Sequence, residues 1–303
     1  EGEIQQLEQI WAALPAWRRQ ALLEDIEELG LSDDLLSFEA LACLAVKDPE
    51  PSVRLPAVRT LWEFDSRSLV SVLIRLLRKD TDEQVRAAAA TGLGSFVLAG
   101  ETESIPRALQ QEIERELLKA YESDPSTAVR CQALEALGYS ENEKIATLIN
   151  QAYASNAVEW KASALAAMGH SADSAWYPQV KQGLESSQLQ ICTAAARAAG
   201  ELEMADAAPR LKALLEEDDL DLRQAAIWSL SQIGGSGVRQ ALEKLASETQ
   251  DEDEVSFIEE ALEELAFTED DSFLSLFDLD DKDDDEDEEE EEVKPTRSRP
   301  ARD

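Results

Sequence analysis

Apolar residues along this chain fall on a helical spacing, and that spacing itself repeats. Six hydrophobic residues, five of them followed by an arginine or lysine, open matching segments: Val53-Arg54, Val85-Arg86, Val129-Arg130, Trp160-Lys161, Ile191-Cys192 and Leu222-Arg223. They lie 32, 44, 31, 31 and 31 residues apart. The long interval contains an insert, Ala99 to Pro106. Four positions after each opening residue stands an alanine: Ala57, Ala89, Ala133, Ala164, Ala195 and Ala226. The next position is apolar throughout (Val58, Ala90, Leu134, Leu165, Ala196, Ile227), as is the eighth (Leu61, Leu93, Leu137, Met168, Ala199, Leu230). Offsets 0, 4, 5 and 8 share one face of an α-helix. An unbroken alanine column marks helices that approach too closely for a larger side chain.

Offset 9 is glycine in four segments, at Gly94, Gly138, Gly169 and Gly200. Glycine at that place reads as a left-handed cap ending the helix. Asp48, Asp80 and Asp124 stand five residues before three of the openings, where a carboxylate can cap free backbone N–H groups. The arginine of one segment can then reach the aspartate of its neighbour and form a ladder of exposed pairs that fixes register.

A first helix precedes each of these second helices. The pattern predicts first helices near 35–46, 68–79, 106–121, 143–154, 174–185, 207–217 and 237–248. Pro106 and Pro209 fall at helix starts, where proline is tolerated. Segment 3–29 gives two more helices, split by Pro15 and ended by Gly30, without the repeat signature. A last degenerate helix is predicted over 254–266. Self-similarity at this period means a solenoid. The fold class is therefore all-α, an α-α superhelix. The expected domains are capping helices over 1–30, about seven repeats over 31–268, an acidic-hydrophobic linear segment over 269–279, and a disordered tail over 280–303.

The motif Val-Arg-x-x-Ala-x-x-x-Leu-Gly, complete from Val129 to Gly138, resembles the short, bilin-lyase-like branch of the HEAT-repeat family. The resemblance covers roughly residues 30–266 and implies a HEAT/armadillo-like solenoid. It points less sharply to function, because one solenoid carries unrelated tasks.

Charge narrows the partners. The net charge is −37. Residues 269–303 hold 17 acids and 5 bases, which leaves 48 acids and 23 bases in the repeats and cap. The folded part is thus itself acidic. Such a surface argues against direct nucleic-acid binding and suits a basic protein partner, or serves solubility alone. Every residue from Asp280 to Glu292 except Lys282 is acidic, which predicts disorder and does not match a calcium-binding loop. The tail then turns basic with Lys294, Arg297, Arg299 and Arg302. The apolar residues among acids in 271–279 read as a short linear motif or as a final cap packed on the last repeat.

Cys43, Cys131 and Cys192 are too scattered for a disulfide framework or zinc site, which fits a reducing compartment and a cytoplasmic location. No apolar run is long enough to span a membrane, and no secretion signal is visible. The chain begins at Glu1 rather than Met, which leaves room for residues ahead of it. A monomer is expected.

Two enzyme types use this repeat. The di-iron hydroxylase takes its ligands from His-Glu pairs. This chain has one histidine, His170, followed by Ser171, so a metal-dependent oxidoreductase is disfavoured. The phycobilin lyase presents a tetrapyrrole or a client cysteine. Cys131 or Cys192 invites that comparison, yet each sits within helical pattern and reads as a structural thiol. There is no phosphate loop, nucleophile elbow or Cys-x-x-Cys. His170, at a helix end, reads as a cation complementing the dipole. No catalytic residue, cofactor or metal is assigned. The expected function is a non-enzymatic scaffold or adaptor, with a lyase-like or chaperone-like factor as the alternative.

Second helices of such pairs line the concave surface, and offsets 3, 6 and 10 should face away from the core. This gives the candidate partner-binding residues Arg59, Glu63, Glu135, Tyr139, His170, Arg197, Glu201 and Trp228. Trp228 is the expected aromatic anchor. Trp62, Trp160 and the Trp176-Tyr177 pair are expected to pack.

Overall fold

The computed structural model describes the backbone of residues 2–32 and 37–280, and side chains from 7 to 266 apart from Glu28 and residues 30–36. Every regular element among them is helical. Two leading helices, α1 (Gly2–Ala13) and α2 (Ala16–Ser32), are followed by seven pairs. These are α3 (Glu39–Ala45) with α4 (Pro51–Thr60), α5 (Arg67–Lys79) with α6 (Glu83–Glu101), and α7 (Arg107–Ser123) with α8 (Thr127–Leu137). Next come α9 (Glu143–Tyr153) with α10 (Val158–His170), α11 (Tyr177–Leu184) with α12 (Leu189–Glu201), α13 (Ala208–Leu214) with α14 (Leu220–Ile233), and α15 (Val238–Glu248) with α16 (Glu252–Asp280).

The predicted first helices all appear, within a few residues of the expected bounds. Gly30 does not stop α2, which runs to Ser32. Part of the 99–106 insert continues α6 to Glu101. The last helix is far longer than predicted, so the backbone of 269–279 lies within α16. Of the tail expected to be disordered over 280–303, Asp280 is the last residue of α16 and the remainder falls outside the described residues.

All six column alanines are fully buried. Second helices lie side by side as one tightly packed layer, and first helices touch one another much less. A stack whose one layer is spaced more closely than the other must curve toward the closer layer, so the second helices form the inner wall. A continuous core runs from Trp11 to Leu265 between the layers.

The glycine column does not cap helices. Gly138 has right-handed torsions, φ −55° and ψ −30°. Gly94, Gly169 and Gly200 lie within helices. Their role is close approach. A Cβ on Gly138 would sit 2.6 Å from the Ala167 carbonyl oxygen and 2.7 Å from its Cα. One on Gly200 would sit 2.8 Å from the Ser229 Cα. The left-handed residues come three positions later and are not glycine: Ala172 at φ 50° and Glu203 at φ 49°. At Glu203 the paired bonds of a helix-ending turn form, with Glu203 N–H donating to Gly200 (2.9 Å) and Met204 N–H to Ala199 (3.0 Å).

The arginine–aspartate ladder forms, but its rungs are buried rather than exposed. Arg54 donates two bonds to Asp80, at 2.7 and 2.6 Å, and Arg86 two to Asp124, at 2.9 and 3.0 Å. Both aspartates also accept a backbone N–H two residues on, from Asp82 and Ser126. Asp48 joins the leading helices in the same way, accepting from Arg19 and from the Trp11 indole. The ladder breaks at Arg130, which instead donates to the Tyr121 carbonyl and lies 5.1 Å from the Trp160 ring centre, and it resumes at Arg223, which donates to Glu254 at 2.7 Å.

Candidate functional site

Offset 3 does not face away from the core. Pro56, Ala88, Ser163 and Ala225 are buried in the seams between second helices. Offsets 6 and 10 do reach the inner surface, and in the middle of the stack they converge. Glu135 from α8, His170 from α10, and Arg197 and Glu201 from α12 line one groove of about 530 Å³. Leu189, half exposed, lies beside them, and Asp219 and Asp221 stand where α14 begins.

The groove is knit across three repeats. The Tyr139 and His170 rings stack 4.2 Å apart and nearly parallel. His170 Nδ1 lies 2.9 Å from the carbonyl oxygen of Glu135, and its Nε2 lies 3.5 Å from a Glu201 carboxylate oxygen. The carbonyl accepts only, so Nδ1 carries the proton. Burial pulls the His170 pKa down, which keeps the ring neutral. His170 is thus not a cation serving its own helix end. It satisfies a carbonyl near the end of the preceding second helix.

Both glutamates are poised near neutrality. Burial pushes the Glu135 carboxyl up to about 7, with hydrogen bonds and Arg197 opposing. Glu201 also rises to about 7, through burial and then the neighbouring Glu135 charge, while Arg197 opposes. One Glu201 oxygen, buried against Gly169, has no hydrogen-bond partner among the described residues. The Glu135 carboxylate accepts from Gln132 at 2.9 Å, and Gln132 in turn accepts from Thr91 at 2.6 Å. The arrangement offers a cation two carboxylates that ionise on its arrival, beside one arginine.

The other candidates lie apart. Arg59 pairs with Glu27 of α2 at 2.8 Å. Glu63 is exposed in the short turn after α4. Trp228 lies in a second groove, of about 380 Å³, with Phe257, Glu260, Ala261, Glu263 and Glu264. Phe257 and Glu260, three apart on α16, share the face that meets Trp228 of α14.

Cys131 and Cys192 are buried, and burial raises both thiols, Cys131 to about 11. Neither is an activated nucleophile. Of the tryptophans expected to pack, Trp62 is partly exposed yet donates to the Ala88 carbonyl, Trp160 packs against the core and Trp176 is buried, whereas Trp17 of α2 is exposed. One strip runs against the net charge: Arg67, Arg75, Arg78 and Lys79 line an outer groove of α5. Among the described residues no group of His, Cys, Asp and Glu is arranged to hold a metal, and no helix is long and apolar enough to cross a membrane.

Residues 38–111 and 177–263 match the family model for HEAT repeats. No curated protein sequence matches. Among solved structures, the complex of CpcE and CpcF of phycocyanin lyase from Nostoc is similar at 21% identity and TM-score 0.49, over 76% of this chain and 95% of that one. Human deoxyhypusine hydroxylase is similar at 16% identity and TM-score 0.42, over 88% and 96%. Kap95p in a complex with RanGDP is similar at 10% identity and TM-score 0.44, over 75% and 35%.

Proposed function

The chain belongs to the HEAT-repeat family, and we propose that it is a non-enzymatic scaffold that holds a basic protein partner against its inner wall. The observation that carries this reading is the central groove. Glu135, His170, Arg197 and Glu201, from three successive repeats, converge there with two carboxyls near pKa 7. A cationic side chain would stabilise both as carboxylates and be held by them. The buried thiols, raised above their ordinary range, speak against nucleophilic chemistry by the chain itself.

Acidic complementarity sets association rate more than final affinity. The test is affinity capture from the native cell, with the retained partner then used in binding kinetics. Glu135→Lys with Glu201→Lys should slow association most at low salt. Trp228→Ala should speed dissociation. If neither changes binding while removal of 269–303 abolishes it, recognition belongs to that segment and the inner-wall reading fails. Protein purified from its own cell with a bound chromophore or stoichiometric iron would overturn the non-enzymatic reading in favour of a lyase-like or metal-dependent factor.

A further inference from the structure

The second groove, between α14 and α16, differs in chemistry from the central one. Glu260, Glu263 and Glu264 line it, and no basic residue does. Its aromatic members are Trp228 and Phe257. Phe257 packs against the continuous core, as do its neighbours Ala261 and Leu262, whereas Trp228 is only half-buried and stands outside that core. Its indole N–H has no acceptor among the described residues, while the indoles of Trp11 and Trp62 donate to Asp48 and to the Ala88 carbonyl. The groove thus sets a half-buried aromatic ring among acids.

We infer that this groove takes an arginine side chain of the partner: the guanidinium lies on the Trp228 ring and bonds the glutamates, and a partner backbone carbonyl accepts from the indole N–H. This rests on the reading that the inner wall binds a basic protein, and it names the chemistry of one contact. Charge complementarity selects a cation, and the aromatic floor selects one that can stack. A planar guanidinium does both, stacking on an aromatic face while its fork of N–H groups meets carboxylates. An ammonium group meets the carboxylates but has no plane to stack.

The experiment uses the full-length protein and a short labelled arginine-rich peptide, with matching lysine and citrulline peptides, read by fluorescence anisotropy. The arginine peptide should bind best, the lysine peptide several-fold more weakly, and the uncharged citrulline peptide not measurably. Trp228→Ala should weaken arginine-peptide binding about tenfold or more, as expected for an aromatic anchor. Trp228→Phe should restore part of it, and circular dichroism should match the parent for both. Glu260→Gln with Glu263→Gln should weaken binding and flatten its salt dependence. Equal binding of the arginine and citrulline peptides, or parent-like binding by Trp228→Ala, overturns the inference. So does arginine-peptide binding that appears only after removal of 293–303, since the occupant would then be the chain's own basic end. If Glu135→Lys with Glu201→Lys abolishes peptide binding and Trp228→Ala does not, the inner-wall reading stands and this inference falls. If neither changes binding, both fall.

Discussion

The early repeats and the central repeats solve the same stacking problem by different means. From α2 to α8, neighbouring repeats are joined by buried arginine–aspartate pairs at the turn end of the stack. From α8 to α14 those rungs are missing, and neighbours are joined by bare backbone contact at Gly138, Gly169 and Gly200. A charged rung ties up its groups completely, whereas a glycine seam leaves the flanking side chains available. The inner-wall groove lies where the rungs are absent. Glu135, His170 and Glu201 stand there, and one oxygen of Glu201 is left without a hydrogen-bond partner among the described residues. Stability is directional and local in one region, and steric and continuous in the other.

The sharpest way to break the comparison is at a rung. Arg86→Ala leaves Asp124 buried without its guanidinium and leaves the Asp80 carbonyl without a donor. Breaking a buried pair in this way should cost about 3 kcal/mol in chemical denaturation. Replacing both partners with apolar residues of similar size should recover most of that loss. A single variant within 0.5 kcal/mol of the parent, roughly the scatter of neutral surface changes, would show that the rungs are decorative.

At the seam, Gly138→Ala and Gly94→Ala should differ although each only adds a methyl group to a helix. Helix propensity favours the alanine by about 0.5–1 kcal/mol in both. At Gly138 the new carbon meets the backbone of α10, which cannot move without opening the seam, so a net loss of roughly 1–3 kcal/mol is expected. At Gly94 the nearest atoms are 3.2 Å or more away, and the change should be near zero. Ala133→Leu should lose a similar roughly 1–3 kcal/mol by overpacking. If the two glycine variants melt together, the seam is not the point of closest approach.

The groove adds a pH term of its own. Glu135 and Glu201 rise from 4.5 to about 7 on folding, so between those values the folded state binds more protons than the unfolded state. Stability therefore falls as pH rises from about 4.5 to 7 and is level above that window. His170, lowered from 6.5, works in the opposite direction. Glu201→Gln should stabilise the protein at pH 8 by on the order of 1 kcal/mol, with the gain vanishing near pH 4.5. A gain independent of pH would mean that Glu201 titrates normally.

The smallest effect is expected outside both regions. Removing 281–303, an unbroken charged run to Glu292 followed by a basic end, should leave helical circular dichroism and melting temperature nearly unchanged. A fall of about 5 °C or more would show that this end supports the stack.

The stack was legible because burial imposes periodicity, and the alanine column could not have been anything but interior. The glycine column misled for a physical reason. Glycine serves both left-handed caps and close approach, and only the distance from Gly138 to Ala167 separates the two uses. Sequence position assigned His170 to its own helix end. Its actual acceptor, 35 residues earlier, is fixed by the offset between adjacent helices, which no local pattern encodes. The grouping of Glu135, His170 and Glu201 followed from helix offsets, whereas their raised or lowered pKa values depend on burial, which one sequence does not reveal.

Each rung also imposes an order on synthesis. Arg54 is made 26 residues before Asp80, and Arg86 is made 38 before Asp124. At about 5–20 residues per second, each arginine waits roughly one to eight seconds for its acid. During that interval the newest pair of helices is unlatched at its leading edge, and the repeats lock one after another behind the ribosome. The central seam waits about as long, since Gly138 meets Ala167 and Gly200 meets Ser229, each 29 residues on, but it closes by docking rather than by pairing charges. The chain thus emerges as a row of clasps, each shut by its successor, and the last clasp closes when Glu254 reaches Arg223, 31 residues on.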